Sequence, residues 1–196
     1  MGTRVSSLLA TDTPQRFAMR MALSFGMALV IALSARFSFL TPFSPVPVTL
    51  QVAAVVLAGF LLGARWGSWS VAMYVGLGLM GAPVFAMGVG GPAVCLGPSF
   101  GYILAFLPAA WVVGRLSEGV ARGFLRGVLI AEAGVAIVYV GGAGWLACIT
   151  MIGGASLWEA IRVAWLSGIA PFTIVDFLKV LLCASIWMAL PAGRSR

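Results

Sequence analysis

Asp176 and Lys179 stand three residues apart in PFTIVDFLKV (Pro171–Val180), inside a strongly apolar stretch. On a helix that spacing places both on one face. A charged side chain costs about 3 kcal/mol at the centre of a membrane helix on insertion scales. An acid and a base here therefore need a reason. Asp176 lies within two turns of Pro171, near the end of the apolar run, and that position lowers the cost. Two readings follow from the spacing. In one, the pair neutralises itself and locks helix packing. In the other, it is the polar anchor of an otherwise apolar pocket, the usual composition of a small-molecule site. A carboxylate accepts N–H bonds and an ammonium donates to a carbonyl. Together they suit a neutral ligand carrying adjacent donors and an acceptor, such as a cyclic urea.

Other polar residues are few. PVPVTLQ (Pro45–Gln51) brings Thr49 and Gln51 to the start of an apolar run. Both can hydrogen-bond a ligand; the plainer alternative is that Thr49 caps a helix and Gln51 is solvated. GVGGPAVCLGPSFGY (Gly88–Tyr102) offers backbone N–H groups ahead of a helix start, a place that can hold a carboxylate. It contains no Gly-Lys-Ser/Thr and is neither a P-loop nor a dinucleotide fingerprint. Glu132, in GVLIAEAGVAIVY, is either a proton or cation site or a residue that snorkels or pairs, and the sequence does not choose. It falls in the inner half of its span, which argues against ligand contact.

The elements that hold these residues are set by composition. The chain is 62% hydrophobic and 9% charged, with a mean hydropathy of +1.09; soluble domains are about a quarter charged. Apolar runs long enough to cross a bilayer recur throughout, so the expected class is an all-α integral membrane protein. Roughly six spans fill a single transmembrane domain over 1–196, at about 15–35, 50–63, 68–80, 100–116, 124–148 and 171–190. Ser34–Thr49, with Pro42, Pro45 and Pro47, reads as an ordered non-helical loop. Thr150–Ile169 holds a short interfacial helix. The first apolar run is too long for a signal-peptide core and is read as a retained span.

Charge orients the chain. With the N-terminus inside, Arg4, Arg16, Arg20, Arg65, Arg115, Arg122, Arg126, Arg194 and Arg196 fall on inner positions, and Arg36 and Arg162 on outer loops. The positive-inside rule then places both termini in the cytoplasm. It also accounts for the net charge of +7 without a nucleic-acid partner. The long apolar loops fall outside, where they would form a lid over a pocket.

The chain has no His, and its three Cys (Cys95, Cys148, Cys183) lack CxxC spacing. That removes imidazole bases and a metal cluster, and no Ser or Cys adjoins a base. No catalytic residue, metal or cofactor is expected. The cysteines read as packing residues, with a Cys95–Cys148 bridge left open. Two small-residue stripes run along the first span: Ala18, Ala22 and Gly26, and Ser24, Ala28 and Ala32. Such stripes let helices approach closely. Either both pack within the chain, or one packs internally and leaves the other for a partner.

PVPVTLQ, GAPVFAMGVGGPAVCLGPSFGYILAF (Gly81–Phe106) and PFTIVDFLK resemble, in order and spacing, three signature segments of the BioY family, the biotin-binding S components of energy-coupling factor (ECF) transporters. The resemblance spans essentially the whole chain. It implies a six-helix S-component fold in the inner (plasma) membrane, with biotin as transported ligand near the outer face. It also implies a transmembrane coupling subunit and two ATPases as partners. The stripes at Ala18, Ala22, Ala28 and Ala32 look like the family's docking pattern. On this resemblance Asp176 and Lys179 engage the ureido ring, with Thr49 and Gln51 nearby. By their position in the chain, Val84, Phe85 and Tyr102 are expected to wall the apolar part, and N–H groups at Gly90 and Gly91, with Ser99, to meet the carboxylate. Two departures stand out. The family usually reads closer to FAGGxGG and GPTGGY, whereas here Met87 and Val89 interrupt the glycines and Ser99 and Phe100 replace Thr and Gly. The alternatives are an S component for another vitamin, or a membrane-embedded proton-coupled carrier or enzyme.

Overall fold

A computed structural model describes residues 13–190. Arg4, Arg194 and Arg196, used above for orientation, lie outside the described residues. The first helix, α1 (Pro14–Ser34), starts with a proline at its first position, where the fixed φ suits a helix and the missing N–H costs nothing. One of its faces is inward: Ser24, Ala28 and Ile31 are buried.

The proline-rich loop is a β-hairpin. Strands β1 (Ser38–Thr41) and β2 (Ser44–Thr49) pair antiparallel, with Phe39 opposite Val48 and an irregularity between Phe39 and Thr41. Ser44, Val46 and Val48 turn inward and Pro45 turns outward. A two-stranded ribbon has two edges, so prolines are tolerated in it. This is the one sheet among the described residues, and it adds a small β element to a helical fold.

The next helix, α2 (Gln51–Leu79), is broken at Gly63, where φ is 76° and ψ 178°. Its two arms, 51–62 and 64–79, fold back on each other. The Gln51 side chain on the first arm hydrogen-bonds the Tyr74 hydroxyl on the second. A Cβ on Gly67 would lie 2.7 Å from the Ala58 carbonyl oxygen. Only glycine adopts the Gly63 conformation without strain. The Glu118 carboxylate accepts from the Ala64 N–H at 2.8 Å, satisfying an orphan donor at the start of the second arm. The reversal occurs at Gly63 itself, and the second arm begins at once, without the five-residue turn that GARWG suggests.

Two short 3₁₀ turns, Ala86–Gly88 and Pro92–Leu96, lead into α3 (Phe100–Ser117). Then come α4 (Phe124–Ile152), α5 (Leu157–Gly168) and α6 (Thr173–Ala189). Small residues bring α2, α3 and α4 close. Gly59 lies against the Ala110 carbonyl, and a Cβ on Gly141 would stand 2.6 Å from that of Ala105. α5 carries a Ser156–Glu159 cap: the Ser156 hydroxyl accepts from the Glu159 N–H at 3.3 Å.

By length and composition α1, α3 and α4 can each cross a membrane, as can α2 counted whole despite its reversal at Gly63, and α5 with α6, bent by 51°, make a fifth span if taken together. Large apolar side chains such as Leu33, Leu125, Leu129, Val140 and Leu178 point outward, as a lipid-facing surface requires. The inward faces form two clusters. One, with Phe60 stacked on Trp187 at 4.9 Å, joins α2, α3, α4 and α6. The other, containing Val46, Val48, Tyr74, Phe85, Tyr102, Phe106 and Phe172, lies beneath the hairpin. The candidate site opens within this second cluster.

Candidate functional site

Asp176 and Lys179 occupy the first two turns of α6. Their side chains are 4% and 7% exposed, and Lys179 Nζ lies 2.6 Å from Asp176 Oδ1. Lys179 also donates to the Thr49 carbonyl oxygen at 2.6 Å. The other carboxylate oxygen, Oδ2, accepts from the Tyr139 hydroxyl at 2.8 Å. An ammonium has three N–H donors, so two are committed and one is left for a ligand. The carboxylate keeps acceptor capacity on both oxygens. Burial of both charges together, hydrogen-bonded on each side, makes their presence inside an apolar bundle tolerable.

The pair forms one end of a cavity of about 410 Å³. The hairpin contributes Pro45, Val46, Pro47 and Thr49, and the start of α2 adds Gln51 and Val52. Phe85, Met87 and Val89 come from the first 3₁₀ turn and its flanks. Ser99, Tyr102, Ile103 and Phe106 come from the start of α3, Val138 and Tyr139 from α4, and Phe172 from the lead into α6. The volume falls in the range of ordinary small-molecule pockets, and a few polar groups at one end of apolar walls is their usual make-up. Among the lining residues Lys179 is the one cation and Asp176 the one anion.

The walls are themselves held by hydrogen bonds. Tyr102 donates to the Gly168 carbonyl at 2.7 Å, and Ser44 donates to the Ser167 carbonyl at 2.6 Å. Both satisfy carbonyls at the end of α5 that no intrahelical donor reaches. Thr49 Oγ1 accepts from the Gln51 N–H at 3.2 Å, a local bond at the helix start. The Gln51 side chain is buried against Tyr74, not solvated.

Seven residues singled out in the sequence thus line one cavity: Thr49, Gln51, Phe85, Ser99, Tyr102, Asp176 and Lys179. Three do not. Val84 packs against the core cluster beside the cavity. Gly90 is pressed against the Ala82 carbonyl, and the Gly91 N–H donates to the Gly78 carbonyl at 2.7 Å. That bond consumes the donor expected to meet a carboxylate. Of the four alanines given a docking role, two need correction: Ala28 is fully buried and Ala32 is half-buried against the core, so their stripe packs internally. Ala18 and Ala22 are exposed, and a Cβ added to Gly26 would meet nothing within 4 Å. All three cysteines are free thiols, so Cys95 and Cys148 are unpaired.

Sequence reasoning missed Tyr139, Phe106, Val138 and Phe172. For Tyr139 a signal existed. Glu132, Val135 and Tyr139 recur at helical spacing along one side of α4, and all three line a lateral groove with Thr173, Ile174, Asp176 and Phe177. Glu132 lies in that groove and outside the cavity.

A model of the BioY family matches residues 5–196. The chain belongs to the BioY family. It is 38% identical over 149 residues to the biotin transporter BioY of Thermotoga maritima, covering 76% of this chain and 83% of that protein. A probable biotin transporter BioY of Pyrococcus horikoshii is also 38% identical, over 135 residues, covering 69% of this chain and 74% of that protein. Among solved structures, the crystal structure of the S-component for biotin from an ECF-type ABC transporter matches with a TM-score of 0.79. It is 27% identical and the match covers 93% of this chain and 97% of that one. The fold is therefore that of an ECF S component.

Within a BioY chain, the two departures noted above take on a structural meaning. Met87 adopts a left-handed conformation, φ 60°, a backbone geometry that glycine takes without cost. Its N–H donates to Ser38 Oγ at 3.3 Å, and Ser38 Oγ lies 3.5 Å from Met87 Sδ. The Arg36 guanidinium donates to the Pro83 carbonyl at 2.9 Å. Hairpin and glycine-rich segment are thereby tied together over the cavity. Phe100 turns toward α4 and meets Trp145 edge-on at 5.7 Å, so its bulk does not enter the cavity.

Proposed function

We infer that this protein is the biotin-binding membrane subunit of an ECF-type transporter and serves biotin uptake. It is a transport component, not an enzyme. The observation that carries the reading is the buried Asp176–Lys179 pair at one end of a mostly apolar cavity, in a chain of the BioY family.

Biotin's ureido ring carries two N–H donors and one carbonyl acceptor. The remaining Lys179 N–H donates to the ureido oxygen, and Asp176 accepts from a ureido N–H. Phe85, Tyr102, Phe106 and Phe172 supply apolar walls for the fused rings and the chain. Ser99 remains the polar group for the carboxylate end, without Gly91. Release inside requires a partner. A transmembrane coupling subunit and two ATPases supply the work, since the sequence holds no P-loop. The exposed Ala18–Ala22–Gly26 stripe is the face we assign to that coupling subunit. The subunit resides in the plasma membrane with both termini cytoplasmic and the cavity toward the outside, supported by the distribution of arginines.

Titration with labelled biotin tests this. Wild type binds, and Asp176→Asn and Lys179→Ala each bind at least tenfold more weakly, because each removes a ligand-binding group and leaves its buried partner's charge uncompensated. Wild-type affinity in both variants would remove the pair from the site.

A further inference from the structure

We propose that Tyr139 is a positioning residue that fixes the Asp176 carboxylate toward the cavity and so sets the affinity for the ureido ring. The proposal rests on the biotin-binding reading above. The Tyr139 hydroxyl donates to Asp176 Oδ2 at 2.8 Å while Lys179 holds Oδ1 at 2.6 Å. The carboxylate is thus gripped at both oxygens from two different helices, α4 and α6. With the Lys179 grip alone, the second oxygen is no longer held in place.

That oxygen has somewhere to turn. Tyr139 and Asp176 line both the cavity and the lateral groove that contains Glu132. They form the partition between the two spaces. Glu132 has no hydrogen-bond or ion-pair partner among the described residues. The phenol therefore has two tasks. It supplies the second donor to Asp176, and its ring closes the wall through which the carboxylate would otherwise face the groove. A ligand that needs one oriented acceptor benefits because the orientation is set before it arrives.

The test is a double-mutant cycle read by titration with labelled biotin in purified, detergent-solubilised full-length protein. Tyr139→Phe removes one hydroxyl and keeps the ring. It is expected to weaken binding on the order of tenfold to a hundredfold, the range for one hydrogen bond to a charged group. In an Asp176→Asn background the same change is expected to have little further effect, because the hydroxyl acts through the carboxylate. Infrared difference spectra give a second readout without ligand: the Asp176 carboxylate bands shift in Tyr139→Phe. Wild-type affinity in Tyr139→Phe, or an equal loss in both backgrounds, would overturn the proposal and leave the biotin reading intact. Failure of wild type to bind biotin would overturn both.

Discussion

At the scale of residues, the informative groups are those that an apolar bundle would rather not contain. Lys179 is held by Asp176 and by the Thr49 carbonyl, and Asp176 by Lys179 and Tyr139. Removing one partner strands the other. Lys179→Met is expected to lower the stability of the ligand-free protein by about 3–5 kcal/mol, as for other broken buried pairs. The double variant Asp176→Asn/Lys179→Met is expected to recover part of that loss, because no buried charge remains. Thermal unfolding in detergent measures both. If the single variant is as stable as wild type, the pair is not buried as described. This also shows what one sequence could say. The i, i+3 spacing already put both residues on one face, and the cost of burial already demanded a purpose. Tyr139, on another helix and 37 positions away, was not linked to Asp176 by any local pattern.

At the scale of elements, hydropathy located the helices and proline located the break after α1, but not its form. Ser34–Thr49 read as an ordered loop, and it contains a hairpin because strand pairing is decided between segments, not within one. The reversal in α2 is a sharper case. Glycine at 63, 67 and 59 all fit a turn or a tight contact, and only Gly63 carries the positive φ. Gly63→Ala is expected to destabilise the protein by about 1–3 kcal/mol, and a Cβ there would also lie 2.8 Å from the Glu118 carboxylate. Gly144→Ala is the control, since its Cβ would meet nothing within 4 Å and alanine favours a helix. Unfolding midpoints of the two variants should separate in that order. A stable Gly63→Ala would mean that the arms do not fold back at this residue.

At the scale of the whole molecule, the claim to test is orientation. Outward-facing apolar side chains cover the helices, and the loop between α3 and α4 and the start of α5 are exposed. In a variant lacking Cys95, Cys148 and Cys183, Leu157→Cys is expected to react with an impermeant maleimide added to intact cells. Val120→Cys is expected to react only after the membrane is opened. The reverse pattern would invert the topology and put the cavity on the cytoplasmic side. Placement of the cavity outside matters for function, because an uptake subunit must take its ligand there.

The amino-acid sequence by itself determined that this is a helical membrane protein with one acid–base couple to explain. Those properties depend on composition and on spacing within single segments. It also carried the family's three segments, which sufficed to name a ligand. Only the tertiary structure decided which polar groups remain free to serve that ligand. Gly91 lost its donor to Gly78, Ala28 vanished into the core, and Tyr139 came to hold Asp176. Each of these outcomes depends on a partner distant in the chain. Hydrogen-bond donors and exposed faces are used up in three dimensions, and no local pattern records which ones are spent.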